Sequence, residues 1–174
     1  KSLFEWGRMS LFSPPLNSWH RLINGGREPV KFLAVTNAPM VLDAYRNPEF
    51  VFNNPFVFAD RFAGEEGYFN EGKKRYARGN THVLETNFIP DILAAQVDEH
   101  EKKGAGVKLT QFQMAGNSMI AHVSNWPAAR YQKAHYHGPG AVLLGLEGDG
   151  YVLMWSKDLG LEPYTSGRGE EVIE

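Results

Sequence analysis

The chain has 174 residues, a mass of 19.5 kDa and a formal net charge of −2 at pH 7. It contains no cysteine, which excludes disulfide scaffolds, cysteine-ligated zinc, iron–sulfur clusters and thiol catalysis. Its 18 basic and 20 acidic residues give no positive excess for binding nucleic acid or an anionic membrane. No stretch reaches the roughly 18 to 20 consecutive apolar residues of a membrane span. We therefore expect a soluble, cytoplasmic protein whose partner is a small molecule or another protein.

Alternating apolar and polar residues predict short strands in both halves of the chain, each followed by turn residues. The predicted strands cover residues 10–12, 19–23 and 30–36, and then 107–114, 119–125, 130–137, 141–146 and 151–155. Many short strands at this spacing are typical of an all-β sandwich or barrel.

The middle of the chain, residues 40–104, has a different character and is expected to connect two β units. Asp91 is a suitable N-cap and Gly104 a suitable end for one helix over about 91–103. A basic cluster over residues 73–78 is expected to be a solvated loop. A connector of this length is unusual inside one compact domain, which indicates an inter-domain or permuted topology.

Two histidines carry the clearest chemical signal. His135 and His137 stand at positions i and i+2 of a predicted strand, so both imidazoles would project from one face, with Cα atoms roughly 6.6 to 7 Å apart. Such a pair can bind one metal ion, and imidazole suits iron, zinc, copper and nickel. The spacing alone leaves open that both are solvent-facing or core histidines.

The surroundings of this pair resemble the first motif of the cupin superfamily, in which His-x-His is followed by a glutamate and then a glycine. Here the pair is followed by a Gly-Pro-Gly turn at 138–140, an apolar stretch at 141–146 and a Gly-Asp-Gly turn at 148–150. The glutamate of the family would fall near Ala141 or Val142, and neither can bind a metal.

Residues 15–24 resemble the second cupin motif, Pro-x-Gly-x-x-His-x-x-x-Asn. Asn17 replaces the glycine, which is acceptable because asparagine is the next best residue at positive φ. In a simple cupin this motif follows His-x-His, whereas here His20 precedes the pair. Either the chain spans the second half of one barrel and the first half of the next, as in a bicupin, or it is a circular permutant. On the bicupin interpretation, residues 1–39 and 105–174 are the two half-barrels and 40–104 the connector.

Without the glutamate, the pattern is similar to the bicupins of the gentisate 1,2-dioxygenase and 1-hydroxy-2-naphthoate dioxygenase group. That resemblance implies a cupin-type jelly-roll barrel and a non-haem dioxygenase-like oxidoreductase acting on a small, for instance aromatic, substrate. It also implies Fe(II), with Zn, Mn, Ni or Cu as other candidates, held by His135, His137 and, if both motifs line one barrel, His20. Lys133 and Tyr131 share the face of His135 by alternation and are therefore candidate substrate-binding residues.

Two other readings remain open for the chain. It could be a non-catalytic cupin module that binds a ligand or assembles with partners. It could also be an incomplete barrel that forms a homo-oligomer or pairs with a companion chain.

Overall fold

A computed structural model describes residues 2–70 and 74–162 of the chain, and strands in mixed sheets predominate there over helices. In chain order the elements are β1 (Leu11–Phe12), α1 (Ala38–Tyr45), α2 (Pro48–Phe52), β2 (Lys74–Arg78), β3 (Thr81–Glu85), β4 (Phe88–Ile89), β5 (Asp98–Glu99), β6 (Lys108–Gln113) and β7 (Ile120–Asn125), with 3₁₀ turns at Glu101–Lys103 and Lys157–Leu159. The predicted all-β class is thus confirmed. The longest described helix, α1, has eight residues, and none of the described helices is long and apolar enough to cross a membrane.

β6 is the central strand of a five-stranded sheet. One of its edges pairs along its whole length with antiparallel β7. The other edge is shared: β3 runs parallel to the C-terminal half of β6, and β5 runs antiparallel to the N-terminal half. β2 pairs with β3 through a tight turn in which Gly79 has a φ of 61°, a conformation that suits the twist of a two-residue hairpin loop. Among the described residues the strands do not close into a barrel.

The core lies between this sheet and a two-stranded ribbon formed by β1 and β4. Phe112 of β6 is completely buried and clusters with Ile89 of the ribbon and with Met114. Leu84 and Ala121, which are its register partners on β3 and β7, pack against the same cluster. Full burial of each such side chain contributes about 1.5–3 kcal/mol, so this apolar row holds the ribbon on the sheet.

Aromatic rings fasten the start of the chain to the same ribbon. The ring of Phe4 stacks on Phe69 at 3.9 Å between centroids and meets Phe12 and Phe88 at 5.2 and 5.0 Å. Such ring pairs contribute about 0.5–1.5 kcal/mol each beyond their buried area. The first residues therefore belong to the packed part of the molecule.

The predicted strands have divided outcomes. Those at 107–114 and 119–125 are confirmed as β6 and β7, and the strand at 10–12 is confirmed in the short β1. The predicted strands at 19–23, 30–36, 130–137, 141–146 and 151–155 are not formed, apart from an isolated bridge at Met154. A strand exists only where a neighbour pairs with its backbone, and these segments have no neighbouring strand within the described part of the chain.

The helix predicted over 91–103 is also wrong. The Asp91 side chain does accept a hydrogen bond from the amide of Leu93, at 2.9 Å, as an N-cap would. Further on, however, Asp98 and Glu99 pair with β6, and the amide of His100 donates to the carbonyl of Val107 at 2.8 Å. Pairing with β6 overrides the local helix preference. It also builds the five-stranded sheet from strands on both sides of residue 104.

The chain exposes much more surface than a compact protein of its mass. Its accessible area is 13,888 Å², whereas a folded monomer of 19.5 kDa exposes about 8,500 Å². Many large apolar side chains are exposed in residues 19–35 and 131–154, and the most exposed include Trp19 at 105% and Leu143 at 79%. These are the segments whose predicted strands are not formed.

Candidate functional site

The predicted histidine pair lies in the extended segment that follows residue 130. The rings of His135 and His137 are 5.7 Å apart between centroids, inclined by 41°, and both side chains are exposed. Nδ1 of His135 lies 2.9 Å from the carbonyl oxygen of Lys133. Nδ1 of His137 lies 2.5 Å from the carbonyl oxygen of Pro139. The proximity expected from the i, i+2 spacing is therefore present, although the segment is not part of a sheet.

In each of these contacts Nδ1 is the donor, because a carbonyl oxygen can only accept a hydrogen bond. Nε2 is then the ring nitrogen that could bind a metal. Histidines that bind metals use this same arrangement, in which the non-ligating nitrogen donates to a carbonyl or carboxylate. The pair is thus prepared to supply two nitrogen ligands.

His20 is held in the same way in a different segment. Its Nδ1 lies 3.1 Å from the carbonyl oxygen of Ser18, and its side chain is exposed. Asn17 adopts the positive φ, 48°, that the motif requires at this position. Its side-chain amide donates to the carbonyl oxygens of Asn54 and Phe56, both at 2.8 Å, which anchors the turn before His20.

The structure does not group the three histidines within one chain. In residues 2–70 and 74–162 there is no cluster of three or more His, Asp or Glu side chains that could hold a metal ion. The pair His135 and His137 is adjacent, but His20 does not join it there. The segment that contains His20 and the segment that contains His135 and His137 belong to neither of the described sheets, so no strand pairing brings them together.

Lys133 and Tyr131 line a common cavity, together with Arg130 and the backbone of residues 104–106. The cavity has a volume of about 420 Å³. The amide of Lys133 donates to the carbonyl oxygen of Lys103 at 2.7 Å, which holds this stretch against the turn after β5. Two cations beside a phenol suit an anionic group such as a carboxylate. The histidine pair does not line this cavity.

Arg130 was not among the predicted site residues, because strict alternation places it on the face opposite to His135. Alternation fails there because residues 130–137 do not form a strand, so neighbouring residues need not point to opposite faces. Arg130 and Tyr131 accordingly line the same cavity.

A second polar cluster lies on the sheet, where β2, β3, β5 and β6 meet. The carboxylate of Asp98 accepts from Arg75 and, at 3.4 Å, from the buried hydroxyl of Thr110, while Nδ1 of His82 lies 3.3 Å away. Arg75 belongs to the basic cluster predicted to be a solvated loop, which instead forms β2 from residue 74 onward; Lys73 lies outside the described residues. Because the cluster joins four strands and holds one carboxylate, we assign it a structural role.

Away from these clusters, the surroundings of His122 and Tyr68 shift the pKa values of their side chains. The pKa of His122 on β7 is lowered, first by burial of the ring against its neighbours and then by the positive charge of Lys103. The pKa of Tyr68 is raised by burial and by the nearby carboxylate of Glu65, against a smaller opposing effect of Arg61.

The chain matches no protein-family model, and no curated protein or solved structure is significantly similar to it.

Proposed function

We propose that this chain is a metal-binding protein of the cupin type and that His135 and His137 supply two of the ligands of a divalent metal. The observation that carries the proposal is the pair of hydrogen bonds from Nδ1 to the carbonyls of Lys133 and Pro139. They leave both Nε2 atoms free in rings that are 5.7 Å apart. In both histidines Nδ1 contacts a backbone carbonyl two residues away, so Nε2 is the nitrogen left for a ligand.

The reaction class that we propose is a dioxygenase-like oxidation that uses Fe(II) and acts on a small aromatic acid. Imidazole nitrogens suit iron, zinc, copper and nickel, and manganese is a further candidate; we favour iron because of the resemblance to the gentisate 1,2-dioxygenase group. When bound, iron would supply the redox chemistry needed to activate dioxygen. The chain itself would bind the substrate: Arg130 and Lys133 fit a carboxylate, and Tyr131 offers a ring and a hydroxyl beside them.

Metal analysis tests this proposal directly. Protein expressed with supplemented metal should carry close to one equivalent of Fe, Mn, Ni, Cu or Zn per chain, measured by mass spectrometry of the elements. The double variant His135→Ala, His137→Ala should fall below about 0.1 equivalent, because two ligands are lost. His122→Gln is the matched control, since it removes a histidine outside the site and should leave the metal content unchanged. A wild-type content below about 0.1 equivalent would contradict the proposal.

A second candidate function is a non-catalytic module that binds a ligand or assembles with partners. The large exposed apolar surface favours it, because such surfaces mark interaction sites. Binding of benzoate, followed by calorimetry, separates the two. The module predicts that His135→Ala binds benzoate as wild type does, with or without Fe(II). The metal site predicts that added Fe(II) strengthens binding to wild type and leaves binding to the variant unchanged.

A further inference from the structure

We infer that the cavity beside the turn at residues 104–107 binds a doubly charged phosphate group, either free or as the monoester of a small molecule. We call it the turn cavity, and its lining residues are Gly104, Ala105, Gly106, Arg130, Tyr131 and Lys133. The inference does not rest on the metal site proposed above, because the histidine pair does not line this cavity. A carboxylate would meet the same cations with only one charge.

The two cations of the turn cavity have no counter-ion of their own. Within the described part of the chain, neither Arg130 nor Lys133 takes part in an ion pair through its side chain. None of the described residues that line the cavity is acidic, and the nearby Glu99 lines a separate cavity. Two cations without a protein carboxylate attract an anion from solution, and an anion with two charges can pair with both.

The stretch of chain that forms the turn cavity is rich in cations. Residues 102–146 contain no aspartate or glutamate, in a chain whose formal net charge is −2. They contain five basic residues, which are Lys102, Lys103, Lys108, Arg130 and Lys133. The pKa of His122 in the same stretch is lowered, first by burial and then by the positive charge of Lys103. The surroundings of the cavity therefore have a positive potential, which favours a dianion over a monoanion.

The turn supplies hydrogen-bond donors besides the two cations. Its closing hydrogen bond runs from the amide of Val107 to the carbonyl oxygen of Gly104, at 3.2 Å. The turn itself therefore does not use the amides of its central residues, Ala105 and Gly106. Backbone amides of turns contribute to many phosphate sites. A phosphate monoester has three strong acceptor oxygens where a carboxylate has two, so it can use more of these amides and the hydroxyl of Tyr131.

Contacts between the turn and residues 127–133 hold the cavity in place. The amide of Lys133 donates to the carbonyl oxygen of Lys103 at 2.7 Å. Gly106 packs so closely that an added Cβ would lie 3.1 Å from Cγ of Pro127. The cavity volume of about 420 Å³ lies within the range of small-molecule sites, about 300–1,000 Å³. It therefore has room for the organic part of a monoester beside the phosphate group.

Titration calorimetry with phenyl phosphate tests the inference, in metal-free buffer at about pH 7.5, where the phosphate group is doubly charged. We expect a Kd below about 1 mM, and about tenfold weaker binding of benzoate, which has the same ring and one charge fewer. Inorganic phosphate separates the two sources. An affinity equal to or above that of phenyl phosphate would identify free phosphate, and a lower affinity would identify an ester. Absence of binding of both phosphates, or benzoate binding as tightly as phenyl phosphate, would overturn the inference.

Variants of the two cations locate the bound phosphate. Arg130→Ala and Lys133→Ala should each weaken the binding of phenyl phosphate about 10- to 100-fold, because each removes a charge-assisted hydrogen bond. Both side chains are exposed, so neither substitution opens a cavity in the core. Lys108→Ala is the matched control, since it removes an exposed cation of the same stretch that does not line the cavity. The control should leave the affinity nearly unchanged. If it weakened binding as much as the cavity variants do, the general positive charge would hold the phosphate and the proposed site would be wrong.

The double variant His135→Ala, His137→Ala separates this inference from the proposed metal site. It should bind phenyl phosphate as wild type does, because the histidine pair does not line the turn cavity. Loss of binding in this variant would overturn the assignment of the phosphate to the turn cavity. Absence of metal from the wild-type protein would instead contradict the proposed function and leave the phosphate site intact.

Discussion

Replacement of Gly104 by alanine should loosen the attachment of the candidate site to the sheet. Gly104 has a φ of 152° and lies in the turn that leads from β5 to β6. A Cβ atom added there would be 2.5 Å from the carbonyl oxygen of Tyr131 and 3.1 Å from Cγ2 of Val107. Neither neighbour is the free end of a flexible side chain, because one is backbone and the other is 99% buried.

The size of the effect follows from these distances. Ordinary van der Waals contact begins at 3.4 Å, so the Tyr131 carbonyl would have to retreat by roughly 0.9 Å. If it stays, the overpacking costs about 1–3 kcal/mol. If it retreats, the contact is relieved, but an L-residue at a φ of 152° remains strained whatever the space, at a cost of about 1–3 kcal/mol. We therefore expect Gly104→Ala to lower the free energy of unfolding by about 1–3 kcal/mol.

Two measurements check this prediction. Urea denaturation gives the free energy of unfolding, and hydrogen exchange reports whether the amide of Lys133 loses protection. Gly145→Ala is the control, because no atom lies within 4 Å of its added Cβ and its φ is not in the left-handed region. That substitution should be neutral or stabilising by up to about 1 kcal/mol through the unfolded state. If Gly104→Ala matched Gly145→Ala in stability and kept the Lys133 amide protected, the contact reasoning would be refuted.

Three further predictions concern the sheet. Phe112→Ala should lower the free energy of unfolding, measured by urea denaturation, by about 3–5 kcal/mol, because it leaves a cavity where a fully buried ring was. Phe112→Leu leaves a smaller cavity and should lower it clearly less. Equal losses for the two variants would show that the cavity does not determine the effect. In a double-mutant cycle, Arg75→Ala and Asp98→Asn should couple by about 0.5–3 kcal/mol, because the two side chains are in contact and about three-quarters buried; additive losses would mean that the pair contributes nothing. The lowered pKa of His122 means that the unfolded chain binds more protons below pH ~6.5. The free energy of unfolding should therefore fall as the pH drops through that value, and a pH titration of His122→Gln should show a smaller fall; an unchanged slope would contradict this origin.

Alternation in the sequence locates β6 and β7 but misses the equally local hairpin of β2 and β3. β6 and β7 follow one another and pair in register from Lys108 with Asn125 to Gln113 with Ile120, so alternation alone locates them. It fails for Arg75, whose charge indicates a solvated position, because the carboxylate of Asp98 that receives it comes from another strand. No local pattern in residues 73–78 reveals that contact.

The same distinction applies to the candidate site. The nearness of His135 and His137 depends only on an extended backbone, in which alternate residues share a side, and it is therefore present without a sheet. Lys133 and Tyr131 line one cavity, but the histidine pair that was expected to share their face does not line it. The position of Arg130 could not be predicted, because alternation assumes a strand over residues 130–137 and that strand is not formed.

The central place of β6 has a consequence for synthesis of the protein. Three strands hydrogen-bond to it, and two of them, β3 and β5, precede it along the chain. Until residues 108–113 have left the ribosome, the larger sheet can consist only of the β2–β3 hairpin, and an isolated hairpin is marginally stable in water. The apolar residues of β3 and of the segments before it therefore cannot be buried against the complete sheet until β6 has been synthesised.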